Sequence, residues 1–99
     1  MARFDVFAGR PEGSYLLDVQ SDLLDNFTTR VVVPLLPLAA VPPPMRKLHP
    51  TFEINGQKLV MVTHLIATVA ASELVDSRLN LLKQHDVIVD ALDMLFQGF

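Results

Sequence analysis

The chain has no cysteine among its 99 residues. That excludes disulfides and thiolate metal sites, and nothing in the sequence depends on an oxidising compartment. A basic cluster is also missing. Lys and Arg number 8 against 11 Asp and Glu and stand singly apart from Arg46-Lys47, for a net charge of -3 and a pI of about 5.4. A stand-alone nucleic-acid binder neutralises phosphates with a basic patch and releases counterions, so direct nucleic-acid binding by this chain alone is not expected. The N-terminal stretch MARFDVFAGRPEGS has Arg3, Asp5, Arg10 and Glu12 where a signal peptide needs an apolar run, so none is read and a cytoplasmic location is expected. Asn26-Phe27-Thr28 is then a chance sequon. A membrane span is not expected either. Val31 to Met45 carries no charge, but it is shorter than the roughly 20 apolar residues a spanning helix needs, and Pro34, Pro37, Pro42, Pro43 and Pro44 break it.

Signatures of chemistry are equally scarce. His49, His64 and His85 lie far apart with no HExxH and no cysteine to complete a zinc site. His64, inside an apolar run, is expected to be a hydrogen-bonded core histidine. No GxSxG places Ser14, Ser21, Ser72 or Ser77 on a strained turn beside a base, and no glycine-rich phosphate loop is present. Asp18, Asp22 and Asp25 are the right residue type for acid-base work or for holding a cation, but short aspartates around a turn more often cap backbone groups. No catalytic residue, metal or cofactor is assigned, and the motifs point to a binding protein rather than an enzyme.

What the chain does have is apolar surface. Its composition is 51% hydrophobic with a mean hydropathy of +0.36, more than the thin core of a single domain spanning 1–99 can hide. A partner is therefore expected to cover some of it. Arg3 to Ala8 alternates with Phe4, Val6 and Ala8 on one side, the period of a strand. Gly9-Arg10-Pro11-Glu12-Gly13 then turns the chain into a second strand through Tyr15, Leu17 and Val19. Asp22 to Thr29 reads as a connection in which adjacent Leu23 and Leu24 are either a contact surface or a plug for the end of the barrel. A third strand, Arg30 to Leu35, runs into a proline-rigid loop. Thr51 to Thr63 is a hairpin around Asn55-Gly56, the pair that suits a type I′ turn. Val62 to Ser72 reads as another buried strand, whereas Ser72 to Leu82 suits helix or edge strand equally. Ile88, Leu92, Leu95 and Phe96 form one stripe of a closing helix over Gln84 to Phe96, opposite Asp86, Asp90, Asp93 and Gln97, and Gly98 stands where a helix usually ends. Strands first and one helix last is a mostly β, α+β plan.

DVQSDLLD at Asp18 to Asp25, followed by RVVVPL from Arg30 to Leu35, resembles the CcdB family of toxin-antitoxin toxins. The resemblance continues through the N-terminal FDVF, the Asn55-Gly56 hairpin, Met61-Val62-Thr63 and the closing ALDMLFQGF, so it covers nearly the whole chain in order. It implies an SH3-like barrel of antiparallel strands with a C-terminal α-helix, paired as a two-fold homodimer, and it resolves Ser72 to Leu82 as strand and turn. It also implies a toxin that acts without chemistry of its own. Such toxins bind the A subunit of DNA gyrase and trap the enzyme on cleaved DNA, and a CcdA-like antitoxin neutralises them. On this resemblance the gyrase-facing residues are Leu23, Leu24, Asp93, Gln97, Gly98 and Phe99. Two of them depart from the family pattern: Gln97 stands in place of a tryptophan that stacks on a gyrase arginine, and Asp93 in place of an asparagine. Gly98 matches, and Phe99 replaces an aliphatic terminus. Two alternatives accompany this assignment: a homologue that binds its antitoxin but no longer poisons gyrase, and a MazF-like endoribonuclease, since the same barrel also cuts RNA.

Overall fold

A computed structural model describes residues 1–9 and 12–98. Arg10 and Pro11 of the first expected turn, and Phe99, lie outside the described residues. Among those described, the strands are β1 (Asp5–Ala8), β2 (Tyr15–Asp18), β3 (Thr29–Pro37), β4 (Thr51–Ile54), β5 (Gln57–Met61), β6 (Ala67–Ala70) and β7 (Ser77–Asn80), and α1 spans His85–Gln97. They form one antiparallel sheet in the order β4-β5-β3-β2-β1-β7, with β6 laid against β3. The sheet curls into a half-barrel that the C-terminal helix completes, the α+β plan expected from the sequence.

β3 organises the sheet because it is long enough to serve two partners on one side. Thr29 to Val32 pairs with β6, Leu35 to Pro37 pairs with β5, and the other side pairs with β2. A proline inside a central strand normally costs a ladder hydrogen bond. Pro34 avoids that cost by its position between the two partners. Its carbonyl accepts from Val62 N at 3.0 Å on the β5 side, so its missing N–H falls in the gap that follows β6. The Asn55-Gly56 turn joining β4 to β5 has φ of 52° and 78°, positive at both positions as a type I′ turn requires.

The core lies between the curled sheet and α1. Val6, Leu17, Val33, Leu35, Leu59 and Met61 meet Ile88 and Ala91 of the helix there. A smaller cluster of Phe7, Val32 and Leu74 forms beside it. β1 keeps the alternation expected of it, with Phe4 and Val6 in one cluster and Phe7 on the other side in the second. Phe4, just before β1, is buried at φ 72°, a conformation that costs a bulky residue on the order of 1–3 kcal/mol. Two backbone bonds hold it there: its N–H donates to Asp18 O at 2.6 Å, and its carbonyl accepts from Leu81 N at 2.9 Å.

Three local expectations are corrected. Val62 to Ser72 is not one buried strand: a 3-10 turn at Thr63–Leu65 precedes the short β6, whose residues are mostly exposed and which among the described residues pairs only with β3. The helix stripe also ends early. Ile88 is fully buried, but Phe96, in the last turn of α1, is 70% exposed. Finally, His64 is an exposed surface residue. Its Nδ1 lies 2.9 Å from His49 Nε2. Met45 N–H donates to His49 Nδ1 at 2.9 Å, so that nitrogen carries no proton and Nε2 is the donor to His64. With the Thr63 hydroxyl donating to Leu48 O, this contact ties the proline loop over a recess of about 280 Å³ lined by Leu36, Val60, Val62, Leu65 and Pro42 to Pro44.

Two predictions test this packing. Ile88→Ala should cost about 2–5 kcal/mol, a cavity-forming loss, and lower the thermal midpoint by about 10 °C or more; a shift of a degree or two would mean that the helix does not complete the core. Burial first, and then the repulsion between the two imidazoles when both are protonated, hold the His49 imidazole below its ordinary 6.5. Folding therefore favours neutral His49, and the stability this confers is present above 6.5 and is lost as pH falls through the lowered value. Ring titration by NMR should place His49 below 6.5 and move it upward in His64→Ala; an unchanged value in the variant would contradict the pairing.

Candidate functional site

The connection from β2 to β3 begins with a polar network. Arg30, at the start of β3, is only 1% exposed, and Asp18, at the end of β2, is fully buried. Both Nε and Nη2 of Arg30 reach one oxygen, Asp18 Oδ2, at 2.9 and 2.6 Å. The other oxygen, Oδ1, accepts from Gln20 N at 3.0 Å. Arg30 Nη2 is buried without an aligned acceptor, so its contact with Asp18 is ionic more than directional. Burial pushes the Asp18 carboxyl above the ordinary carboxylate range, opposed first by Arg30 and then by the Gln20 N–H. The third guanidinium nitrogen, Nη1, donates to Asp25 Oδ1 at 3.1 Å, and Asp25 is itself 55% exposed.

Above this base the chain makes a 3-10 turn over Asp22–Leu24. Ser21 caps it, its Oγ accepting from Leu23 N at 3.2 Å. Asp22 Oδ1 accepts from Arg3 N at 2.8 Å, which ties the turn to the N-terminal segment. Gln20 bridges the connection: its Nε2 donates to Leu24 O and its Oε1 accepts from Val31 N, each at 3.0 Å. Leu23 is 93% exposed and Leu24 42%. The aliphatic pair therefore faces solvent and is not a plug for the barrel.

The helix tail is a separate place. Asp93 is half-buried, and Gln97 is exposed with its Nε2 3.5 Å from Asp93 Oδ1. Gly98 closes the helix at φ 79°, its N–H donating to Met94 O at 3.1 Å, the left-handed ending that glycine favours. Phe99, the remaining expected contact, lies outside the described residues. Among the described residues no hydrogen bond joins the turn to the tail. The turn connects through Arg3 and Phe4 to His85, whose ring meets Phe4 edge-on at 5.6 Å. The tail is at the other end of a 13-residue helix, roughly 20 Å away at 1.5 Å per residue.

Reading the aspartates as backbone caps was partly right: Asp22 and one oxygen of Asp18 serve backbone N–H groups. The remainder bind Arg30. Neither Arg30 nor Gln20 was singled out from the sequence. The one available signal was a lone arginine directly preceding the uncharged stretch from Val31 to Met45, with aspartates upstream.

A half-barrel of antiparallel strands closed by a terminal helix, with an apolar turn on a buried ionic base, defines the structural class. The family model described as CcdB protein matches residues 3–98. The chain belongs to the CcdB family, whose members are toxins of toxin-antitoxin modules.

Removing Asp18 leaves the buried guanidinium with only the half-exposed Asp25 as its counter-charge. Asp18→Asn should therefore destabilise the fold by about 3–5 kcal/mol in denaturant titration, whereas Asp22→Asn, at an exposed cap, should cost about 1 kcal/mol or less. Equal effects would remove the distinction between base and cap.

Proposed function

We propose that this chain is the toxin of a type II toxin-antitoxin module and that it binds the A subunit of DNA gyrase and traps the gyrase-DNA cleavage complex. It acts as a cytoplasmic homodimer without chemistry of its own, and a CcdA-like antitoxin neutralises it. The observation that carries this reading is the Leu23-Leu24 turn, an aliphatic pair held in solvent on a buried polar base, in a chain that matches its family over residues 3–98. An exposed aliphatic pair has little reason to be so firmly supported unless it is a contact surface. Further exposed apolar side chains, among them Leu65, Val75, Leu82, Val87 and Phe96, support the homodimer, because a two-fold interface would cover surface that a monomer leaves wet. The antitoxin is expected to fold onto the dimer as it binds, with negative ΔCp and a favourable enthalpy offset by ordering.

One observation favours a second reading. The exposed tail has Gln97 where the family resemblance calls for tryptophan, beside a carboxylate at Asp93. A homologue that keeps its antitoxin but has lost gyrase poisoning would look like this. If poisoning persists, Leu23, Leu24 and the tail residues Asp93, Gln97, Gly98 and Phe99 make the contact, with Phe99 as its aromatic group.

Incubating the protein with gyrase, plasmid and ATP decides between them. Accumulation of cleaved DNA supports the poison; antitoxin binding without cleaved DNA supports the second reading; degradation of bulk RNA would replace both with the MazF-like alternative. Leu23→Asp should change stability by less than about 0.5 kcal/mol and weaken binding to a gyrase A fragment by about tenfold to a hundredfold. Gln97→Trp should strengthen it up to about tenfold, the cation-π increment. Unchanged affinity in both variants would remove the turn and the tail from the interface.

A further inference from the structure

Building on the docking role proposed for Leu23 and Leu24, we propose that Asp25 is a positioning residue: its ion pair with Arg30 fixes the pose in which the turn meets its partner. The turn over Asp22–Leu24 has no buried side chain. Packing therefore cannot hold its shape, and only polar ties remain. Ser21 and the Asp22 bond to Arg3 fix the turn where it begins, and Gln20 holds Leu24 O from below. Asp25 fixes the end, through Arg30 Nη1 at 3.1 Å. A charge-assisted bond to a guanidinium is both stronger and more directional than a neutral one.

The two carboxylates on Arg30 divide their work. Asp18, fully buried, neutralises the guanidinium and so bears on the stability of the fold. Asp25 is 55% exposed, and pairs exposed to that degree contribute little to folding. Without Asp25, Arg30 still has its buried counter-charge, so the barrel stands while the end of the turn is released. The loss then falls on partner binding, because apparent affinity scales with the fraction of molecules in the competent pose.

Three measurements on Asp25→Ala and Asp25→Asn in the full chain test this: thermal midpoint, amide exchange, and affinity for a gyrase A fragment. The midpoint should move by less than about 5 °C. Exchange at Leu24, Asp25 and Phe27, whose N–H groups bond within this segment, should rise about tenfold in Asp25→Ala with the amides of Leu35 and Leu59 unchanged. Affinity should fall by the same factor, and Asp25→Asn, which keeps an acceptor oxygen without charge, should lie between. A turn that exchanges no faster in Asp25→Ala overturns the proposal whatever the partner, and so does faster exchange with unaltered affinity. If the unaltered protein does not bind the fragment at all, the gyrase reading fails on its own, and amide exchange in Asp25→Ala still decides whether the ion pair fixes the turn. A midpoint drop of ten degrees or more would also overturn the proposal, by making Asp25 a stability residue.

Discussion

A guanidinium buried at the start of the longest strand has to find its counter-charge inside the protein, and much of the architecture depends on how it does so. Asp18 supplies that charge from the end of β2. The same residue offers its backbone carbonyl to Phe4 N–H at 2.6 Å. One aspartate thereby joins the second strand, the third strand and the N-terminal segment. Phe4, held at positive φ by this bond and by Leu81, meets the ring of His85, where the helix begins. Loss of the ion pair is thus expected to loosen the register of the sheet and the seating of the helix together.

The same pair gives the connection after β2 its character. Loops are usually positioned by the elements at their ends, but this one is also held from beneath by Arg30 and by both ends of the Gln20 side chain. Apolar side chains that a flexible loop would bury by collapse stay in water. The end of the helix is similar in kind, with Phe96 and Gln97 exposed and Gly98 stopping the helix. Rigid support beneath exposed apolar groups lowers the ordering cost of association.

Residue by residue, what could be read from the sequence followed the range of the interaction concerned. Asn55-Gly56 identified its hairpin because the turn's positive φ values are a local demand that few residue pairs meet. The final helix was legible from Ile88 and Gly98 for the same reason, whereas Phe96 was misjudged because periodicity does not say how much of an apolar stripe the rest of the fold covers. His64 looked like a core residue within an apolar run, but the chain leaves the sheet at Thr63 and carries it to the surface beside His49. Arg30 was missed because its partners lie 12 and 5 residues before it, and its place before an uncharged stretch does not name them. The aliphatic pair and the tail were found through family resemblance, and only the fold reveals that the pair stands exposed on a 3-10 turn while the tail closes α1.

In the proposed function this half-barrel presents Leu23-Leu24 and the helix tail to the A subunit of gyrase. A hydrogen-exchange footprint of the full protein on a gyrase A fragment tests it most directly. The account predicts protection concentrated at residues 22–25 and 93–98, with no change in the β4-β5 hairpin. Protection at the hairpin or beneath the proline loop, with the turn and tail exchanging as in the free protein, would contradict it.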